Sequence, residues 1–437
     1  MDISDNTLSQ RSSPFADPLS IVLFIIATLL TLAQIGQRVA SPVVYKQAGP
    51  EARIIELQWA GKGQFGRDFK VPDNIPSNPW TVAVEMILLS EEGQATKARE
   101  LLPHSPEGVF RKCWEAAYID DSQSCEPEMA STIRDGLSNG LASKLLEASL
   151  MTRAENESTK IVSQKLRSDA LKSYKNKAMV LFALVFVLIF GAGAGIAIGI
   201  WMLVKPKPIT PPPHFEMPAV TAIRVCLGWY VVFLSSATIV SLIDSFISLG
   251  ILALPFSYVI HAVSGISFIC FAEKISPFHL WKKICQPNML WVPKGLQFLL
   301  LAIGYVMLVA IILSYLLPEE VAAQQELLRF IRTTKGILPF IFIFGMVAIL
   351  GPAFEEIFFR GFLMSILRRR FSIIWSLVFS SLLFGAIHFQ LQNLLVLTFL
   401  GGALGFSFLS TRDIRTAIFV HGCWNGGVFL FQKLLLG

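Results

Sequence analysis

The chain has 437 residues, of which 53% are hydrophobic and 16% charged, with a net charge of +6 and a mean hydropathy of +0.58. Soluble domains carry about 25% charged residues, so a soluble enzyme, a disordered chain and a fibrous chain are excluded and a multi-span membrane protein remains. Lys and Arg flanking spans on the cytoplasmic side explain a modest basic surplus and give no reason to expect nucleic acid as a partner; the expected partner is the lipid bilayer.

In chain order, the first stretch without Asp, Glu, Lys or Arg is 18–37. The residues before it hold Asp2, Asp5 and Asp17 against Arg11, the wrong charge for a signal peptide, so 1–37 is read as a retained membrane anchor. Residues 38–177 form the one sizeable polar region. Apolar residues recur there at helical spacing in 82–89 and 98–102, separated by turn signals at Glu92-Gly93 and Ser105-Pro106. A small soluble helical domain is expected, with a protein partner as its candidate ligand. Residues 91–98 faintly resemble the turn of a tetratricopeptide repeat, without a second copy.

The six cysteines form no CxxC pair and read as buried small hydrophobes rather than a disulfide framework or zinc ribbon. A Cys113–Cys125 bridge would need an oxidising compartment. Against it, Lys160, Lys165, Arg167, Lys172, Lys175 and Lys177 place 38–177 on the cytoplasmic side by the positive-inside rule.

A transmembrane helix is expected over 178–204. Its Gly191, Gly195 and Gly199 fall four apart on one face, a ladder that allows close helix packing within the chain or, as a second reading, dimerisation. Gly401 and Gly405 repeat the theme. Residues 205–218 read as a Pro-rich linker, and 219–437 as the membrane core. Charge-free stretches there run 225–243, 245–272, 295–318, 336–354, 371–411 and 416–432. At about 20 residues per span the whole chain predicts an all-α polytopic membrane bundle of about 8–9 transmembrane helices; 371–411 holds two, divided by a polar kink at Gln390, Gln392 and Asn393. Arg368–Arg370, and Arg412 with Arg415, should also be cytoplasmic. Agreement with the 160–177 run requires an odd number of crossings between 219 and 272, where the length suggests two.

Ionisable residues inside spans are costly and point to function. Three groups stand out. In Glu355-Glu356-Ile357-Phe358-Phe359-Arg360, Glu356 and Arg360 are four apart on one helical face and can pair. Glu355 lies about 100° round the helix and is left as a lone carboxylate able to take a proton from water. His388 follows Phe384-Gly385-Ala386-Ile387. His421 and Asn425, four apart, project from one face as two hydrogen-bonding groups side by side. Each group alone is equally a structural polar contact between helices. Counted from the basic turn at 368–370, Glu355 and His388 return to a similar depth, about 22 and 27 Å by helical rise. His421, only six residues past Arg415, fits that depth less well.

These residues resemble the CPBP family of intramembrane proteases (CaaX proteases and bacteriocin-processing enzymes, or Abi family). Glu355, Glu356 and Arg360 match EExxxR, Phe384 and His388 match FxxxH, and His421 and Asn425 match HxxxN, in the family's order. The resemblance covers 336–437 and leaves 1–210 unaddressed. It implies an intramembrane endopeptidase acting on a membrane-associated, CaaX-like peptide. In that reading Glu355 and His388 activate water, His421 and Asn425 stabilise the oxyanion, and Glu356 with Arg360 hold the helix. Two His and a Glu could hold Zn²⁺ with a water, yet the HExxH helix of soluble metalloproteases is absent, so the metal stays open. Two other readings stay open as well: a non-catalytic membrane scaffold or assembly factor binding partners through 38–177, and a transporter, for which no inverted repeat is visible.

Overall fold

The computed structural model describes residues 17–40, 48, 50–61, 78–120, 125, 127–152, 157–204, 211–285, 290–316, 336–389 and 393–436. Asp2, Asp5, Arg11, Gln390, Gln392 and the 205–210 part of the linker lie outside them. The described residues are helical, apart from turns and one isolated bridge between Cys285 and Asp413. The chain forms two compact units, residues 1–42 with 189–430, and 43–188 with 431–437.

The second unit contains α2 (Pro50–Gly61), α3 (Pro79–Glu91), α4 (Ala95–Glu100), α5 (Val109–Tyr118), α6 (Pro127–Gly136) and α7 (Leu141–Thr152), and the first part of α8 (Glu157–Val204). Helix α3 starts where Asn78 caps it: the side chain accepts from the Trp80 amide, and Pro79 gives up no needed donor at the first position. Every residue from Thr81 to Leu89 is buried, so α3 is the unit's central helix. Around it pack Phe110, Trp114, Leu141 and Leu145. The buried Arg53 pairs with Glu56 at 2.5 Å, and Glu56 accepts from the Ala142 amide at 2.8 Å, so neither charge is stranded. Glu85 is 1% exposed and its Oε1 has no hydrogen bond among the described residues; burial lifts its pKa from 4.5 to about 7. One sequence expectation is corrected here: Cys113 and Cys125 are joined in a disulfide, with Cα atoms 4.8 Å apart.

The first unit is a membrane bundle. It comprises α1 (Pro18–Ala40), the end of α8, α9 (Ala219–Ile247), α10 (Ala253–Glu273), α11 (Pro277–Ile284), α12 (Trp291–Leu316), α13 (Ile337–Leu367), α14 (Ile373–Ala386), α15 (Leu394–Thr411) and α16 (Ile414–Leu436). Among the described residues, six helices are long and apolar enough to cross a bilayer, and Pro18–Gln34 and Ile373–Ala386 are shorter apolar helices. The protein is therefore a multi-pass, all-α membrane protein.

The small-residue ladder packs inside this unit. A Cβ on Gly195 would stand 1.9 Å from the Leu300 carbonyl oxygen, and one on Gly304 2.6 Å from that of Ala192, so α8 and α12 meet backbone to backbone. The question of crossings between 219 and 272 also resolves. α9 and α10 are both long and apolar enough to span, and the chain returns to its starting end. There Glu273 accepts from the Glu216 and Met217 amides, and Arg369 donates to the Met217 carbonyl at 2.5 Å. Two crossings, not an odd number, separate these ends. The positive-inside rule therefore cannot hold both for the basic run before α8 and for the turn at 368–370.

Candidate functional site

Helix α13 carries the two glutamates, and its backbone is irregular around them. Two π turns, Met346–Leu350 and Ile357–Leu363, bracket the α-helical segment Gly351–Glu356. Such widened turns concentrate at functional sites. Side chains one residue apart point about 100° away from each other, and the two carboxylates accordingly meet different neighbours.

Glu356 is fully buried. Its Oε1 accepts from Arg360 Nη1 at 2.9 Å and lies 2.8 Å from His421 Nδ1. The Arg360 guanidinium continues to the Gly401 carbonyl at 3.0 Å and stacks 4.4 Å over the Phe384 ring. The pairing read from the four-residue spacing is present, and it does more than hold the helix, because the same carboxylate anchors His421. A hydrogen on Nδ1 facing that carboxylate leaves Nε2 as the acceptor of the neutral ring. Nε2 lies 3.2 Å from Asn425 Nδ2 and 3.7 Å from Glu355 Oε2. Asn425 Nδ2 also donates to the Val347 carbonyl in the first π turn, at 3.4 Å. Both carboxamide hydrogens are thus engaged, the second over a long bond.

Glu355 Oε1 accepts from the Tyr258 hydroxyl of α10 at 2.7 Å, while Oε2 has no hydrogen bond among the described residues. The structure therefore brings together Glu355, Glu356, Arg360, His421 and Asn425. Among the described residues no hydrogen bond or ion pair joins His388 to Glu355. Helix α14 ends at Ala386, so His388 lies in the turn beyond, where its Nδ1 faces the Phe384 carbonyl at 2.8 Å. Fully buried Phe384 packs against both imidazoles, 5.1 Å from His388 and 5.5 Å from His421. The depth argument fitted His421 less well than His388, yet it is His421 Nε2 that lies 3.7 Å from Glu355 Oε2.

No group of three His, Cys, Asp or Glu side chains among the described residues could hold a metal ion. The donor set therefore does not fit zinc, and no step below passes through one.

Tyr258 and His261 were missed by the sequence reading. His261 is 5% exposed, within an apolar helix, and its ring lies 4.3 Å from that of Tyr258. An ionisable residue inside a span is itself the signal that finds it.

Fold and site define a polytopic helical membrane protein with a buried carboxylate–imidazole cluster. The cluster's segment, residues 336–427, matches the family described as type II CAAX prenyl endopeptidase Rce1-like. The resemblance read from the three motifs thus holds over that segment. YdiL of Bacillus subtilis (strain 168), named as a candidate membrane peptidase, is 33% identical over 85 residues, which is 20% of this chain. The match spans about a third (35%) of that curated relative's length. No solved structure matches the chain.

Proposed function

We propose that the protein is an intramembrane endopeptidase that cleaves a membrane-associated, CaaX-like peptide by carboxylate-activated water. The observation that carries this reading is the convergence of the two glutamates on one histidine, Glu356 bonded to Nδ1 and Glu355 standing 3.7 Å from Nε2. Glu356, charge-balanced by Arg360, orients His421, and His421 presents Nε2 to an otherwise unbonded oxygen of Glu355. Carboxylate-held imidazoles are pre-oriented for proton transfer. In this proposal Glu355 takes the proton of the attacking water, and Asn425 turns an N–H from Val347 to the developing oxyanion. His388, with no partner for Nε2 among the described residues, receives the leaving group's side of the substrate.

The test compares purified full-length protein with Glu355→Gln in lipid nanodiscs on an S-farnesylated CaaX-type peptide and its unprenylated counterpart, with products read by mass spectrometry. The expected result is cleavage by the wild type and a loss of at least 10²-fold in the variant, the scale of a general-base contribution. Equal yields from both end the proposal.

A further inference from the structure

Among the described residues, one side chain hydrogen-bonds Glu355, and it comes from outside the matched segment 336–427. Tyr258, on α10, donates its hydroxyl to Oε1 at 2.7 Å. Its place is fixed from two sides. Gly351, one turn before Glu355, leaves room for it: a Cβ there would stand 3.3 Å from the hydroxyl. On the other side the Tyr258 ring meets His261 edge-on at 4.3 Å, and His261 is itself seated against Phe233 and Phe354. The remaining ionisable groups around Glu355 are accounted for. Glu356 and Arg360 bond each other, and His421 with Asn425 approaches from α16 on the Oε2 side.

We propose that Tyr258 is a positioning residue that commits Glu355 to working through Oε2, an inference that rests on the peptidase reading above. The two oxygens of a carboxylate are chemically alike, and the terminal torsion of a glutamate is broad and roughly two-fold. A charge-assisted hydrogen bond to one oxygen removes that freedom. With Oε1 held by α10, Oε2 faces His421 Nε2 and is the oxygen that receives the proton. The step is then defined. Water transfers a proton to Oε2 as its oxygen bonds the scissile carbonyl carbon, and the carbonyl electron pair moves onto oxygen. When the tetrahedral intermediate collapses, the C–N bond breaks and the proton on Oε2 passes to the departing nitrogen. Tyr258 touches the base and not the substrate, so its hydroxyl should act on turnover and leave substrate affinity alone.

The experiment uses full-length protein in nanodiscs and the S-farnesylated peptide, with wild type, Tyr258→Phe, Glu355→Gln and the double variant. Loss of a hydrogen bond to a charged group corresponds to a drop of about 10- to 100-fold. Tyr258→Phe is expected to lower kcat by that factor, to leave KM within about twofold, to keep the unfolding midpoint, and to add no further loss to Glu355→Gln. Replacing Tyr258 by 4-aminophenylalanine, which restores a donor at the same place, is expected to recover most of kcat. Wild-type kcat in Tyr258→Phe, a rise in KM alone, or losses that multiply in the double variant overturn the positioning role while leaving Glu355 as base. If wild type and Glu355→Gln leave the probe equally untouched, the peptidase reading falls and the Tyr258 role with it.

Discussion

Gly422 makes the tightest test of how the site is assembled. It sits on α16 between His421 and Cys423, facing the first π turn of α13. A Cβ added there would stand 2.4 Å from the Ala348 carbonyl oxygen, whereas ordinary contact begins at 3.4 Å. The obstacle is backbone, so Gly422→Ala must push the two helices apart by about 1 Å, the difference between those distances. Overpacking of this kind costs roughly 1–3 kcal/mol, offset by up to about 1 kcal/mol of helix propensity gained when Gly becomes Ala. The displacement also widens the 3.7 Å gap between His421 Nε2 and Glu355 Oε2, and a misplacement of about 1 Å is worth roughly 10²-fold in rate. Gly427, one turn and a half further on, has nothing within 4 Å of the same construction and serves as the control. Tryptophan fluorescence on heating in nanodiscs and peptide cleavage are the two readouts. Gly427→Ala is expected to hold or gain stability with full activity, and Gly422→Ala to lose both. Identical behaviour of the two variants would refute the close-approach argument.

Other outcomes follow from the same geometry. Arg360→Met strands the fully buried Glu356 carboxylate and is expected to lower stability by about 3–5 kcal/mol. Adding Glu356→Gln should return most of the unfolding midpoint but not the activity, because His421 still lacks its anchor; recovery of both would contradict the assigned pairing. For Glu85, the folded pKa of about 7 exceeds the ordinary 4.5. Between those values the folded state holds a proton that the unfolded chain has released, so the contribution of Glu85 to stability is fullest below pH 4.5 and falls as pH rises to 7. The loss amounts to up to about 3 kcal/mol, and Glu85→Gln should flatten that part of the stability–pH curve relative to wild type. Finally, alkylation of denatured protein without reductant should modify Cys226, Cys270, Cys285 and Cys423 and spare Cys113 and Cys125. Modification of all six shows that the bridge is absent. Cys113→Ser should cost roughly 3 kcal/mol, the entropy of closing a loop of this size.

The parts of the site carried by a single helix were legible in the sequence. A spacing of four puts two side chains on one face, so Glu356 with Arg360 and His421 with Asn425 could be paired before any coordinates, and both pairs are in contact. Contacts between helices were less legible. Tyr258 precedes Glu355 by 97 residues, and no spacing rule reaches that far. His261 escaped because the spans were scanned for acids, lysine and arginine, while an imidazole is equally expensive in hydrocarbon. The weaker fit of His421 in the depth estimate came from treating each helix as running straight from its basic turn. That estimate does not know that α14 stops at Ala386, or that Phe384 fills the space alongside. The disulfide was misjudged because the basic run before α8 was weighed as a sidedness signal, although that rule is strongest for short connections and weak for long segments such as 38–177.

The widened turns on either side of the glutamates have a consequence for how this helix tolerates change. Each π turn is in effect one surplus residue accommodated without breaking the helix. Removing a residue from 346–350 can therefore be absorbed by a return to ordinary pitch, which leaves Glu355 and Glu356 facing close to their present neighbours. The same deletion in the first turns of the regular helix α16 has no such slack: it turns His421 and Asn425 by about 100° and parts them from the glutamates. The widened stretch is thus where the helix can lose a residue and keep its contacts.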